Sequence, residues 1–254
     1  TTIDRQCGSA QQSVHFAAQA VMSGTMDLVV AGGVQNMSMI PISSAMTAGQ
    51  ALGFNDPFTG SPGWTTRYGN GEVSQFVGAQ MMADKWNLSR DEMEAFAVES
   101  HLRALRARAE GRFEAEIAPL NGLTFDEGPR EPNIEKIRSL PTLTPDGNLT
   151  AALASQISDG SAALLVANER AVNEHGLKPR ARIHHISVLA DDPIMMLSAP
   201  IPATRRALQK AGLTIDDIDL VEINEAFAPV VMAWMREIGA PHEKVNVNGG
   251  AIAL

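Results

Sequence analysis

Cysteine is nearly absent from this sequence of 254 residues, where Cys7 is the single one. One cysteine excludes an intrachain disulfide and cannot build a cysteine-based metal cluster, so no metal and a reducing, cytoplasmic location are expected. Apolar runs approaching the roughly 20 residues that span a bilayer are also missing. The opening residues, Thr1 to Arg5, lack the basic and apolar regions of a secretory signal.

Positive charge is in short supply as well, since the formal net charge is −9. That excess of acid argues against a general nucleic-acid binder, which needs positive charge to neutralise phosphates. It leaves room for an anionic small ligand held by a local basic patch. The hydrophobic share of 44% and the charged share of 19% are those of a folded globular protein. We therefore expect a globular protein that acts on neither nucleic acid nor membranes.

Short apolar runs alternate with helical patterns, which predicts an α/β sandwich with mostly parallel sheets. A helix predicted over 10–23 precedes a buried parallel strand predicted over 26–31, which Gly32 and Gly33 end. The pattern resumes later, with strands predicted over 162–167, 182–189 and 220–223 and helices over 169–175, 202–211 and 228–238. Residues 35–150 interrupt the alternation and are expected to form an excursion from the sandwich.

One helix inside this excursion has a clear start. Ser89 and Glu92 form a capping-box pattern, and Gly111 follows the last turn. Charged residues along the helix, Glu94 and Arg103 among them, are expected on a solvated face, since charge runs usually are.

Cys7 stands between a short extended run, Thr2 to Asp4, and the helix predicted over 10–23. We therefore expect its sulfur at a helix N-terminus, where unpaired N–H groups and the helix dipole stabilise a thiolate. The small neighbours Gly8 and Ser9 would let a substrate approach. The alternative is a buried and unreactive thiol, which is the commoner fate of a lone cysteine. Local sequence leaves both open.

No histidine is placed as an obvious base for this cysteine. His15 follows Cys7 by eight positions on the same helix, and about 1.5 Å of rise per residue puts it roughly 12 Å away. The sequence therefore offers a nucleophile without a visible base.

Polar residues also follow a predicted strand near the end of the chain. Asn224 and Glu225 come directly after the run 220–223, and sites in open α/β sheets gather at the carboxyl ends of strands. Asn224 can hold a water or a carbonyl oxygen that Glu225 orients, or it can cap the following helix. The stretch from Ser155 to Gly160 can likewise contact a ligand or close a turn.

Four stretches together resemble the thiolases, which are acyl-CoA C-acyltransferases. They occur in family order, and the sequence resembles in particular the actinobacterial thiolases that degrade steroids and fatty acids. The stretches are Cys7-Gly8-Ser9; Ala154-Ser155 with Ser158-Asp159-Gly160; Asn224-Glu225-Ala226-Phe227; and Asn246-Val247-Asn248-Gly249-Gly250-Ala251.

The resemblance implies a five-layered αβαβα sandwich of two similar halves with an inserted loop domain. Residues 1–34 and 151–177 would form the N-terminal half, 35–150 the insertion and 178–254 the C-terminal half. The chain starts after the family's opening strands and ends at Leu254. Both halves are therefore expected to be truncated.

The resemblance also implies roles for individual residues. Cys7 would attack an acyl-CoA and carry the acyl group as a thioester, and Asn224 would hold the water of an oxyanion hole. Ser155 would lie against the pantetheine of CoA, and Met196 would line the acyl pocket. Five further residues are expected to bind substrate or CoA: Glu225, Ala226, Phe227, Gly250 and Ala251. CoA would be a co-substrate, with no covalently bound cofactor, in a homodimer or homotetramer.

The sequence departs from the family pattern in two ways. A Gly-His-Pro histidine that activates the nucleophile and a second cysteine that serves as acid and base follow Gly-Gly-Ala in the family, and this chain contains neither. An alternative therefore stays open, a thiolase-like protein that binds CoA or acyl-CoA without turnover. Leu153, Gln156 and Ala199 replace asparagine, glycine and glycine, which suggests an altered acyl pocket.

Overall fold

The computed structural model describes residues 1–56, 58 and 60–254. The chain divides into two compact units, each assembled from two separate stretches of sequence. Unit 1 comprises Thr1–Ala48 and Ile157–Ile186, and unit 2 comprises Gly49–Gln156 and Ser187–Leu254. The division into two halves and an insertion that the resemblance implies stays a prediction.

Helices dominate the part of the chain that the structure describes. The longer helices are α1 (Ser9–Met22), α2 (Ser44–Thr47), α3 (Pro62–Tyr68), α4 (Gln75–Lys85), α5 (Arg90–Ala109), α6 (Ile134–Ser139), α7 (Glu169–Glu174), α8 (Pro200–Ala211) and α9 (Ala228–Ile238). Short 3-10 turns lie at Gln50–Leu52, Ala151–Leu153, Ile215–Asp217 and His242–Lys244. The strands are β1 (Leu28–Gln35) and β2 (Gly160–Ala167). No helix in these residues is long and apolar enough to cross a membrane.

Unit 1 is built on an antiparallel pair of strands. β1 pairs with β2 from Leu28 opposite Ala167 to Gln35 opposite Gly160, so the parallel strand predicted over 26–31 is wrong. The apolar run correctly predicts a strand. It does not show the direction of the partner strand, which lies more than 120 positions away. β1 also continues past the two glycines that were expected to end it. A Cβ on Gly33 would lie 3.3 Å from the Cβ of Ala10, so a bare backbone suits this close approach to α1.

The core of unit 1 is small. Its buried members are Ala17, Ala18, Ala31 and Val166, between α1 and one face of the sheet. The other face is open, since Val30 is 69% exposed. The strand was predicted to be buried on both faces, and only one is covered within this unit.

Unit 2 holds a larger core around α9. Helices α4, α5 and α8 all pack against α9. The buried apolar cluster of this unit includes side chains of α9 and of the elements around it, among them Met82, Met93, Phe96, Val231, Trp234 and Ile252. Both α8 and α9 end where the sequence predicts, because Gly212 and Gly239 adopt the left-handed conformation that terminates helices, with φ of 69° and 78°.

Two predicted strands do not form within the described residues. The segment 182–189 has no regular structure. In the segment 220–223, Val221 makes only an isolated parallel bridge with Val245. A strand requires a paired neighbour, and apolar composition alone does not supply one.

Candidate functional site

The turn from Arg5 to Ser9 places Cys7 one residue before Gly8, the N-cap of α1. The Gly8 N–H donates to the Arg5 carbonyl at 3.1 Å. The Ser9 hydroxyl accepts from the Arg5 N–H at 2.8 Å and donates to the Gln6 carbonyl at 2.7 Å. Cys7 is exposed, so the buried-thiol alternative is wrong. The strand expected before it is absent, and a single bridge between Arg5 and Cys7 is all that forms there.

Backbone strain accompanies this turn. Gln6 has a φ of +52°, which is an uncommon conformation for a residue with a side chain. Strained residues of this kind persist only where the surroundings hold them, and they cluster at functional sites. The hydrogen bonds among Arg5, Gln6, Gly8 and Ser9 hold the turn in this conformation.

His15 is buried in α1, with 8% of its surface exposed. Burial, helped by the positive charge of Arg5, lowers the pKa of its imidazole. Its Nδ1 has no hydrogen-bond partner in the structure. Within unit 1 this residue is a buried side chain of α1, and its spacing along the helix predicts that it cannot reach Cys7.

Three of the predicted ligand-binding stretches meet in unit 2. The Ser155 N–H donates to the Ala226 carbonyl at 3.0 Å, and the Gln156 N–H donates to the Ala251 carbonyl at 2.9 Å. The Gln156 side-chain amide donates to the Ile252 carbonyl at 2.7 Å. Residues that lie far apart in sequence therefore form one continuous surface, which carries Ser155, Ala226, Gly250 and Ala251.

Asn224 and Phe227 occupy different positions in the segment that enters α9. Phe227 is the N-cap of α9 and contributes no side-chain cap. It is buried and packs edge to face on Phe76, with ring centroids 5.7 Å apart. Asn224 is exposed and lies before the cap position, so the expectation that it caps the helix is wrong. Its side chain is open to a ligand.

Glu225 points the opposite way, into the interior of unit 2, where it is 1% exposed. Its Oε2 accepts hydrogen bonds from the Ser100 hydroxyl at 2.7 Å and from the Ile252 N–H at 3.1 Å. Its Oε1 accepts from the Asn246 side-chain amide at 2.9 Å. The neighbouring Glu222 has an exposed side chain, and its pKa is raised mainly because nearby protein atoms displace water from its carboxyl group and then because of the charge of Glu225.

The loop before Ala251 is held against α5. Gly249 has a φ of +84°, and a Cβ there would lie 2.7 Å from the Ser100 carbonyl, so only glycine fits. The guanidinium of Arg103 donates to the carbonyls of Val245 and His242 at 2.7 and 3.1 Å. α5 thus forms the floor on which the Gly-Gly-Ala stretch rests.

Sequence reasoning missed this role of α5. Glu94, Ser100, His101 and Arg103 are all buried, whereas Glu94 and Arg103 were expected on a solvated face. The run of polar residues in α5 was the only indication in the sequence. Such a run faces solvent when no other segment packs on it, and it forms hydrogen bonds to the protein when another segment does.

Met196 lies in a tight turn that Asp192 organises. The carboxylate of Asp192 accepts from the N–H groups of Ile194 and Met195 at 2.8 and 2.9 Å. These bonds lower the pKa of Asp192. Met196 itself has a φ of +42°, which is strained for a residue with a side chain. Its side chain is half-buried, and its place in an acyl pocket stays a prediction.

Comparisons with known proteins match the chain along most of its length. The family profile of the thiolase N-terminal domain matches residues 1–170, and that of the thiolase C-terminal domain matches residues 177–254. The steroid 3-ketoacyl-CoA thiolase FadA6 of Mycobacterium tuberculosis is 62% identical over 100% of this chain and 63% of its own length. The 3-ketoacyl-CoA thiolase of Escherichia coli is 37% identical over 100% of this chain and 66% of its own length.

Solved structures agree with these matches. The human mitochondrial 3-ketoacyl-CoA thiolase in complex with CoA has a TM-score of 0.82 and 34% sequence identity, over 99% of this chain and 66% of that chain. This likeness confirms the predicted fold class. The chain spans less than two thirds of the length of these relatives.

Proposed function

Because the chain belongs to the thiolase family, we propose that the protein that carries it is an acyl-CoA C-acyltransferase. It cleaves a 3-oxoacyl-CoA with CoA, or runs the reverse Claisen condensation. The observation that carries the proposal is an exposed thiol in a strained, hydrogen-bonded turn at the start of α1.

The reaction proceeds in two steps at the sulfur of Cys7. The thiolate attacks the C3 carbonyl of the 3-oxoacyl-CoA, the C2–C3 bond breaks, and C2 takes a proton, so that acetyl-CoA leaves. The shortened acyl group remains on Cys7 as a thioester. A second CoA, whose thiol gives up a proton that balances the one taken by C2, then attacks that thioester as its thiolate. The shortened acyl-CoA leaves, and the Cys7 thiolate is restored. Splitting one difficult transfer into two easier ones is the advantage of covalent catalysis.

Unit 2 supplies the binding surface in this proposal. Ser155 contacts the pantetheine of CoA, and Ala226, Gly250 and Ala251 bind substrate or CoA, as the backbone hydrogen bonds that join their segments support. Phe227, whose side chain is buried, contributes by packing on Phe76. Asn224, exposed on the same segment, holds the water of an oxyanion hole. Met196 lines the acyl pocket.

The substrate class is a 3-oxoacyl-CoA, and we infer a bulky, steroid-derived acyl group from the name and the 62% identity of the M. tuberculosis relative. CoA is the co-substrate, and the human neighbour was solved as a CoA complex. A homodimer or homotetramer in the cytoplasm remains our prediction for the assembly and its location.

Intact-mass spectrometry of the protein after mixing with acetyl-CoA tests the covalent step. We expect one added acetyl group, mapped by peptide analysis to Cys7, and none in the Cys7→Ser variant. Cys7→Ala should abolish thiolysis of acetoacetyl-CoA and of a steroid-derived 3-oxoacyl-CoA. Parental rates in Cys7→Ala, or an adduct on another side chain, would refute the proposal.

Alkylation by iodoacetamide separates catalysis from binding without turnover. A catalytic Cys7 should react quickly near neutral pH and be protected by acyl-CoA, because the thiolate is the reactive form. A rate equal to that of free cysteine, with protection by CoA, would support the binding-only alternative. Faster thiolysis of acetoacetyl-CoA than of the steroid-derived substrate would overturn the inferred acyl group alone.

A further inference from the structure

We propose that Glu225 is a positioning residue, whose buried carboxylate aligns the segment of Asn224 with the turn of Gly250 and Ala251. The proposal rests on the proposed function, because it assigns these two segments to acyl-CoA. It concerns a residue that faces away from the ligand surface and acts through its neighbours.

The carboxylate of Glu225 is surrounded by donors. Ser100, Asn246 and Ile252 each donate to it, at 2.7, 2.9 and 3.1 Å, and these partners are neutral groups. Burial of a charge costs free energy that an apolar contact of the same size would avoid. The carboxylate instead fixes the orientation of the segments around it, because both of its oxygens must face hydrogen-bond donors.

The side-chain amide of Asn246 is held in one orientation. Its Oδ1 accepts from the Ile223 N–H at 2.9 Å, and its Nδ2 donates to the Ile223 carbonyl at 2.9 Å. A flip of the amide would set an oxygen against that carbonyl and an NH₂ group against that N–H. The same Nδ2 therefore presents a donor to Glu225, so an acceptor is required at that oxygen.

Ser100 links Glu225 to the Gly-Gly-Ala turn. Its hydroxyl donates to Glu225 and accepts from the Gly250 N–H at 3.1 Å. A Cβ on Gly250 would lie 2.3 Å from the carboxyl carbon of Glu225, so the turn rests directly on the carboxylate. Glu225 also adjoins Ala226, whose carbonyl accepts from Ser155. One carboxylate thus fixes all three stretches of the binding surface.

Glu225→Gln is the sharpest perturbation, because it keeps the volume and removes one acceptor. If the amide oxygen keeps Ser100 and Ile252, its NH₂ group meets the NH₂ group of Asn246. A displacement of about 1 Å in positioning groups can cost about 100-fold in rate. We expect kcat/KM for thiolysis to fall by about 100-fold, with faster hydrogen exchange at residues 222–227 and 246–254. Glu222→Gln, the same change on an exposed side chain three positions earlier, is the matched control and should alter neither.

Transposing the pair separates orientation from general destabilisation. Asn246→Asp alone sets two carboxylates face to face and should be at least as damaging as Glu225→Gln. The double variant Glu225→Gln with Asn246→Asp restores a donor opposite an acceptor. We expect its kcat/KM to recover by about tenfold over Asn246→Asp, because residues in one network are not additive. A merely structural role would make activity follow the unfolding midpoint in all three variants.

Each outcome decides the matter. Unchanged exchange in Glu225→Gln, or looser segments with parental kcat/KM in a protein that turns over, would overturn the proposal. So would a double variant no better than Asn246→Asp. If the parent shows no thiolysis at all, the proposed function fails, and the exchange data still test the alignment separately. If Glu225→Gln does not fold, Ser100→Ala removes one donor to Glu225 and the acceptor for the Gly250 N–H. It leaves the bonds from Asn246 and Ile252 in place, so it should show the same exchange pattern more weakly.

Discussion

Unit 1 and unit 2 position their predicted functional residues through different kinds of hydrogen bond. In unit 1 the turn of Cys7 is closed by bonds between Arg5, Gln6, Gly8 and Ser9, all within five consecutive positions. In unit 2 the decisive bond, from Ser100 to Glu225, joins residues 125 positions apart. The nucleophile depends on a local turn, whereas the binding surface depends on the packing of a whole unit.

The buried cores of the two units also differ, in the size of their side chains. The buried cluster of unit 1 consists of small side chains, Ala17, Ala18, Ala31 and Val166. That of unit 2 includes large ones such as Met93 and Trp234. Buried apolar area is the main source of stability. We therefore expect core substitutions in unit 2 to disturb the binding surface while they leave the turn of Cys7 intact.

The largest effect should come from Met93→Ala. Met93 is 0% exposed, and truncation of a buried methionine typically costs about 2–5 kcal/mol through lost burial and the cavity left behind. Trp64, Trp86 and Trp234 all belong to unit 2. Denaturation followed by tryptophan fluorescence therefore reports that unit, and its midpoint should fall while the denaturant slope stays constant.

The matched control is Met22→Ala in α1, where the methionine is 64% exposed. Exposed substitutions usually change stability by less than about 0.5 kcal/mol. Alkylation of Cys7 should keep its parental rate in Met93→Ala under conditions where the protein stays folded. Equal shifts of the tryptophan-detected midpoint in the two methionine variants would show that the burial of Met93 does not set the stability of unit 2.

The second prediction concerns His101, which is buried in α5 of unit 2 with no partner for its Nδ1. Burial, followed by the charge of Arg130, lowers its pKa from 6.5 to about 4. The unfolded chain binds this proton more readily than the folded one, so the contribution to stability is complete above pH 6.5 and is lost as pH falls toward 4.

The free energy of unfolding should therefore fall on acidification in this window, by up to about 1.4 kcal/mol per pH unit from this residue. His101→Gln should reduce that slope, measured by denaturant titrations with fluorescence detection. His242, whose pKa is also lowered by burial and by Arg103, leaves a residual slope. His184→Gln, the same substitution on an exposed side chain in unit 1, serves as the control variant. An unaltered slope in His101→Gln would show that folding does not lower the pKa of this histidine.

The contrast between local and long-range contacts also explains which features of the fold and the site could be predicted from the sequence. The start of α1 next to Cys7, the capping box of α5 and the glycine ends of α8 and α9 depend on residues a few positions apart. Each was predicted from the residue types alone. Recognition of the family motifs added the candidate residues of the binding surface.

The failures share the opposite property. The antiparallel direction of β1 is set by β2, which begins at Gly160. The buried face of α5 is set by Glu225 and by the loop that ends at Ile252. A polar pattern on a helix does not show whether water or protein will satisfy it, so Ser100 and Arg103 could not be placed without tertiary structure.

The smallest effect tests a contact of the predictable, local kind inside unit 2. The Ser89 hydroxyl accepts from the Glu92 N–H at 3.3 Å, and the Glu92 carboxylate accepts from the Ser89 N–H at 2.8 Å. That second bond is the main reason why the pKa of Glu92 is lowered. Loss of a side-chain cap typically costs about 1 kcal/mol, so Ser89→Ala should lower the unfolding free energy by about that amount.

Ser89→Thr keeps the hydroxyl and serves as the control, which should retain most of the stability in the same fluorescence-detected titration. The cap lies at the start of α5, while Ser100 and Arg103 lie further along the helix. Ser89→Ala should therefore leave hydrogen exchange at residues 246–254 unchanged, in contrast to Glu225→Gln. Equal losses in the alanine and threonine variants would show that packing, and not the cap, holds the helix start. Faster exchange at 246–254 in Ser89→Ala would show that the local and long-range contacts of unit 2 are not separable.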